Sequence, residues 1–168
     1  PEMLELARRN QAEAGIENAR FLLGAIEAVP LPDASVDVVI SNCVINLAAD
    51  KDPVLAEAFR VLRPGGRFAV SDIVLLRPIP EPLVGVVGLW TGCVSGALLN
   101  SDYVAKLTAA GFADASVEVT RRYDRADLEE LAESLRPDEL PDGFDLDATL
   151  AALEGAFASA AVRAGKPA

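Results

Sequence analysis

Val36-Asp37-Val38-Val39-Ile40-Ser41 (VDVVIS) is a short, nearly continuous apolar run, and Arg67 to Val74 (RFAVSDIV) is a second. Runs of this length without helical spacing read as strands, and their continuity predicts burial on both faces. Between them, Asp52 and Pro53 fit a cap and first helical position, opening a helix through Leu62. Val54, Leu55, Ala58, Val61 and Leu62 supply its buried stripe. Pro64-Gly65-Gly66 then reads as a turn. It follows a helix and precedes a strand, the reverse of a phosphate-binding loop. Strand, helix, strand at this spacing is a parallel βαβ unit, the building block of a doubly wound sheet.

Working outward, an amphipathic helix runs from Met3 to Ala14 and stops at Gly15, and Arg20 to Gly24 reads as a short strand before a loop with Pro30, Pro32 and Asp33. Downstream, Ser101 to Ala110 is a helix ended by Gly111, and Ala115 to Arg122 alternates as a strand should. Helices near Arg125–Leu135 and Leu146–Leu153 follow, capped by Asp124 and Asp145, and Ala156 to Arg163 is placed to close the sheet. Pro1 and Glu2 resemble the first turn of a helix whose cap lies upstream, as if the chain began in mid-fold.

The chain has 168 residues, 15 basic and 26 acidic side chains, two cysteines and no histidine. That excludes Ser-His-Asp and Cys-His nucleophiles, HExxH zinc sites and histidine proton shuttles. A formal net charge of −11 argues against a nucleic-acid backbone as partner. Half the acids fall within residues 113–154, scattered without the ligand spacing of a calcium loop, and read as a solvated helical surface. Pro82 to Ser101 is uncharged and carries Gly88-x-x-x-Gly92 and Gly92-x-x-x-Gly96. Its glycines and small polar residues make it too polar for a membrane span, so it is expected to be buried or to line a site.

The two cysteines are fifty positions apart, neither a disulfide framework nor a CxxC pair. In an open α/β sheet, ligands gather beyond the carboxyl ends of the strands. Cys43 falls just past VDVVIS, at that rim, and Cys93 follows the next strand after an insertion, so the topology lets both reach one place. Burial as small hydrophobes is the commonest alternative fate of such residues.

Gly24-Ala25-Ile26-Glu27, Pro30-Leu31-Pro32-Asp33, Val36 to Asn42 and Arg60-Val61-Leu62-Arg63-Pro64-Gly65-Gly66, in this order and spacing, resemble the second half of a class I S-adenosylmethionine-dependent methyltransferase. Ser41-Asn42-Cys43-Val44-Ile45-Asn46-Leu47 and Trp90-Thr91-Gly92-Cys93-Val94-Ser95-Gly96-Ala97-Leu98 are similar to the two cysteine segments of the arsenite methyltransferases. The resemblance runs from Met3 to about Phe112 and more loosely beyond. It implies an α/β, Rossmann-like doubly wound sheet lacking its first strands. Residues 1–112 would form the C-terminal part of that core, and residues 113–168 the closing strands and acidic helices of the same domain.

The resemblance further implies that Cys43 and Cys93 hold As(III), that Ile26 and Glu27 lie beside the adenine of S-adenosylmethionine, and that Asn42 lies near its methionine end. It also implies arsenite as substrate, an external thiol reductant and a cytoplasmic enzyme of arsenic detoxification. The family's glycine-rich first motif does not occur in these 168 residues. The chemistry suits a chain without histidine. Thiolates are the soft ligands that trivalent arsenic prefers, and its lone pair attacks a methyl donor without first losing a proton. Two alternatives stand beside this reading: a non-catalytic thiophilic metalloid-binding piece, and a methyltransferase for another small molecule.

Overall fold

A computed structural model describes residues 2–80, 83, 94, 96–133 and 144–168. Helix α1 (Glu2–Glu13) leads through an irregular stretch to strand β1 (Val36–Asn42), a single 3₁₀ turn (Ile45–Leu47), helix α2 (Asp52–Val61) and strand β2 (Leu62–Leu75). Then come the short strand β3 (Leu98–Leu99), helix α3 (Asn100–Ala109), strand β4 (Ala113–Arg122), helices α4 (Arg125–Ala132) and α5 (Leu146–Leu153), and strand β5 (Phe157–Gly165). The sheet order is β1-β2-β5-β4, with β3 beside the end of β2.

Helices pack on both faces of this sheet. On one face α2 and α3 bury Val54, Leu55, Ala58, Tyr103 and Leu107 against Phe68, Val70 and Val74 of β2 and Val162 of β5. On the other, Leu128 of α4 and Leu150 and Leu153 of α5 pack on Ile73 and Phe157. Side chains alternate across a strand, so β2 feeds both layers from one run of residues. The doubly wound α/β reading stands.

Five expectations are corrected. β5 does not close the sheet at an edge; it inserts antiparallel between β2 and β4, leaving β4 outermost. Val162 and Ala160, each 0 % exposed, show why: its face carries small and apolar residues fit for the interior. VDVVIS is not buried on both faces. Val36 and Val39 pack on the core, whereas Val38 and Ile40 are 40 % and 78 % exposed, because among the described residues β1 pairs with β2 alone.

Arg20 to Gly24 forms no strand. A strand exists through its ladder, and here carbonyls in and beside this stretch are met by side chains of α1 instead: Gln11 Nε2 donates to Ala19 O at 2.7 Å and Arg8 Nη2 to Phe21 O at 3.5 Å. Finally, Lys51 rather than Asp52 caps α2, and Pro64-Gly65-Gly66 is a bulge inside β2. The register jumps there from Val36↔Leu62 to Val38↔Arg67, with Gly65 at φ +77 supplying the left-handed turn.

The remaining helices follow local rules closely. Gly111 sits at φ +100 just after α3, and the side chains of Asp124 and Asp145 each accept a backbone N–H at the start of α4 and α5. Among the described residues no helix is long and apolar enough to cross a membrane, and most of the segment 82–101 lies outside them.

Candidate functional site

The carboxyl ends of β1 and β2 form a rim, and the chain leaves β1 there through Asn42 and Cys43. Asn42, the last residue of the strand, is exposed. Cys43 is half-buried and adopts φ 53, a left-handed conformation that costs an L residue about 1 kcal/mol or more. Its amide donates to Ser71 O at 2.9 Å, so β2 fixes the backbone that carries the thiol. Cys93 lies outside the described residues.

Ile26 and Glu27 sit on the loop before β1. That loop is fastened to α2: the Val29 amide donates to Glu57 Oε1 at 2.7 Å, while Arg60 Nη2 donates to Val29 O at 3.0 Å and Arg60 Nη1 meets Asp33 at 2.5 Å. The same guanidinium donates to Glu57 and holds that carboxyl below its usual range. Glu57 thus remains ionised and keeps its grip on the loop.

Beside these pieces opens a cavity of about 500 Å³ whose lining includes Ile26, Glu27, Val44, Leu47, Ala48 and Asp50. Its lining combines apolar side chains with the carboxylates of Glu27 and Asp50. Ile26 and Glu27 are therefore brought to one wall with Val44, the neighbour of Cys43. Asn42 and Cys43 are not among the residues lining it. A second cavity of about 520 Å³ shares Leu47, Ala48 and Ala49 with it and is also lined by Asn46, Lys51, Gly96 and Ala97.

Beneath the rim lies a buried polar cluster that sequence reasoning did not single out. Asn46, Lys51 and Asp72 are 2 %, 8 % and 1 % exposed. Lys51 Nζ donates to Ala48 O at 2.7 Å and Asn46 O at 3.2 Å, and Asn46 Nδ2 donates to Ile73 O at 2.8 Å. Tyr103 OH donates to Asp72 Oδ2 at 3.3 Å, while Oδ1 of Asp72 has no hydrogen-bond partner among the described residues. Burial pushes the Asp72 carboxyl up to about 6 and the Tyr103 hydroxyl up as well. Burial also lowers Lys51, against the opposing pull of the Asp72 charge. One signal was available: Asp72 is a lone acid inside an otherwise apolar strand run. Among the described residues no group of three or more His, Cys, Asp or Glu gathers to hold a metal ion.

Residues 1–116 match a family described as a methyltransferase domain. The chain belongs to that methyltransferase family. Within it, the chain is 49 % identical over 112 residues to an arsenite methyltransferase of Halobacterium salinarum, covering 67 % of this chain and 29 % of that protein. It is 42 % identical over 103 residues to the arsenite methyltransferase of Aquipseudomonas alcaligenes, covering 60 % of this chain and 30 % of that one. Among solved structures, an arsenic(III) S-adenosylmethionine methyltransferase from Chlamydomonas reinhardtii superposes with a TM-score of 0.70 at 32 % identity, over 99 % of this chain and 53 % of the other. The chain therefore spans about three-tenths of the length of the curated relatives it matches. The methyltransferase superposition extends through β5, the antiparallel strand, so the sheet order above belongs to a shared Rossmann-like fold.

Proposed function

We propose that this methyltransferase transfers a methyl group from S-adenosylmethionine to As(III) held by the thiolates of Cys43 and Cys93. The observation that carries the reading is Cys43 itself: a thiol at the carboxyl rim of the sheet, on a backbone held left-handed by Ser71 O, next in sequence to a wall of the Ile26–Glu27 cavity. The identities of 49 % and 42 % to arsenite methyltransferases support it.

Ile26 would lie against the adenine and Glu27 would accept from its amino group, with Asn42 near the methionine end. When bound, the cofactor supplies an electrophilic sulfonium methyl. The chain's own task is to bind and orient. Cys43 and Cys93 give the soft donors that trivalent arsenic prefers and leave its lone pair free, so positioning supplies most of the catalysis. Glu57 and Arg60 keep the Ile26–Glu27 wall in place. Attack on the methyl would release S-adenosylhomocysteine and leave pentavalent methylated arsenic, which an external thiol would reduce, as suits the cytoplasm, and no general base is required. Residues 1–112 would form the C-terminal part of the cofactor-binding core, with residues 113–168 completing the same domain.

The test is incubation with arsenite, S-adenosylmethionine and a small thiol, with arsenic products resolved by mass spectrometry. Cys43→Ser and Cys93→Ser should each abolish methylated arsenic, and full activity in either variant overturns the assignment. Arsenite should also protect both thiols from alkylation. Protection without methylated product would leave metalloid binding as the activity of these 168 residues. Absence of protection would point to another small-molecule acceptor.

A further inference from the structure

Lys51 occupies a place that a lysine normally avoids. It is 8 % exposed, and it stands at the N-cap of α2, where the helix dipole disfavours a cation. A buried ammonium is retained only where its three donors and its charge are matched. Here the loop that carries Cys43 supplies two of the acceptors. Nζ reaches Ala48 O at 2.7 Å and Asn46 O at 3.2 Å, and Asp72 of β2 supplies the opposite charge.

That loop is pinned to the end of β2 at two further points, Cys43 N to Ser71 O at 2.9 Å and Asn46 Nδ2 to Ile73 O at 2.8 Å. Gly96 backs it so closely that a Cβ there would stand 1.9 Å from Asn46 O and 3.2 Å from Lys51 Nζ. The left-handed conformation of Cys43 persists only if its surroundings over-determine it. Of these pins, Lys51 is the one that closes the loop on itself, tying residues 46 and 48 to the start of α2.

We propose that Lys51 is a positioning residue for the acceptor thiol: its ammonium, set against Asp72, holds the 43–50 loop so that Cys43 meets the metalloid at a fixed place. The inference rests on the reading of Cys43 as an arsenic-binding thiolate. Lys51 touches no reacting atom. Its role differs from that of a mere counter-ion for Asp72, and the difference is measurable.

In the full chain, alkylation of Cys43 by iodoacetamide is followed by peptide mass spectrometry across a series of arsenite concentrations, alongside the melting temperature. Lys51→Met keeps the stem and removes the donors; its expected result is a lower Tm and an arsenite requirement for protection raised about tenfold or more. The double variant K51M/D72N removes the uncompensated carboxylate as well. It should regain most of the Tm while the arsenite requirement stays raised. Recovery of both quantities in the double variant overturns the proposal, because Lys51 would then serve only to neutralise Asp72. Unshifted protection in Lys51→Met overturns it, and so does a double variant that does not fold. Should arsenite leave wild-type Cys43 unprotected, the acceptor reading itself fails. The positioning role is then read from the alkylation rate without arsenite, where a folded double variant with the wild-type rate overturns it.

Discussion

At Asp72 a single carboxyl links burial to pH. It is 1 % exposed, receives the Tyr103 hydroxyl on Oδ2, and faces the charge of Lys51; desolvation nevertheless dominates and brings it to about 6. An ordinary aspartate titrates near about 4. The folded protein therefore binds this proton more tightly than the unfolded chain does. The stability that Asp72 contributes is fully present below about pH 4 and is lost as pH rises through about 6. Tyr103, pushed up by its own burial, does not titrate in that window. Asp72→Asn removes the titration while keeping the shape. Urea unfolding of both proteins from about pH 4 to pH 7.5 should show the wild type losing about 2–3 kcal/mol relative to the variant. A constant difference across that range would mean that the carboxyl is not desolvated in the fold. The residue scale is also where the sequence was least informative about the site. Cys43 was visible because a thiol has few roles, whereas Asp72 and Lys51 matter through burial, and burial comes from partners many positions away.

Helices α4 and α5 show the opposite case, elements whose limits are written locally. Asp124 accepts from the Asp127 amide while Asp127 returns the bond to the Asp124 amide, and Asp145 accepts from the Ala148 amide. Both caps were legible because cap chemistry spans only three or four residues. The start of α2 lies one position earlier than cap chemistry suggests: Lys51 holds the cap position without a side-chain bond, and the Asp52 amide donates to Asp50 Oδ1. Strands obey no such local rule. Arg20–Gly24 and Arg67–Val74 look alike as apolar runs, yet only the second has neighbours to pair with on both sides among the described residues. The antiparallel insertion of β5 was equally hidden, since orientation depends on a partner about ninety positions upstream. The cap prediction is quantitative. Asp124→Ala should lower stability by about 1 kcal/mol in urea unfolding, with no change in arsenite protection of Cys43. Leu128→Ala, on the same helix but 0 % exposed, should cost about 2–5 kcal/mol. Equal effects from the two would contradict the placement of Leu128 in the core of that face.

For the molecule as a whole, charge and apolar surface sit in different places. Arg125 pairs with Glu129 at 2.9 Å and Asp147 at 2.5 Å across α4 and α5, an exposed arrangement that makes this acidic region a solvated face. At the other end of the sheet, β1 has an outer edge unpaired among the described residues, with Ile40 at 78 % and Val38 at 40 % exposure. An open strand edge with apolar side chains is a template for pairing with another chain. A net charge of −11 opposes such pairing at long range, but salt screens it beyond about 8 Å at physiological ionic strength. The 168-residue chain should therefore self-associate, more strongly as salt is raised. Ile40→Lys places a charge on the exposed face without touching the core, and charged side chains of this kind are how natural sheets blunt their edges. Sedimentation velocity at low and at physiological salt should show wild-type association growing with salt and concentration. Ile40→Lys should shift the population toward monomer with the same far-ultraviolet circular dichroism. A wild-type chain that sediments as a monomer at every concentration and salt would show that this edge attracts nothing. Association unchanged by Ile40→Lys would place the contact on another surface.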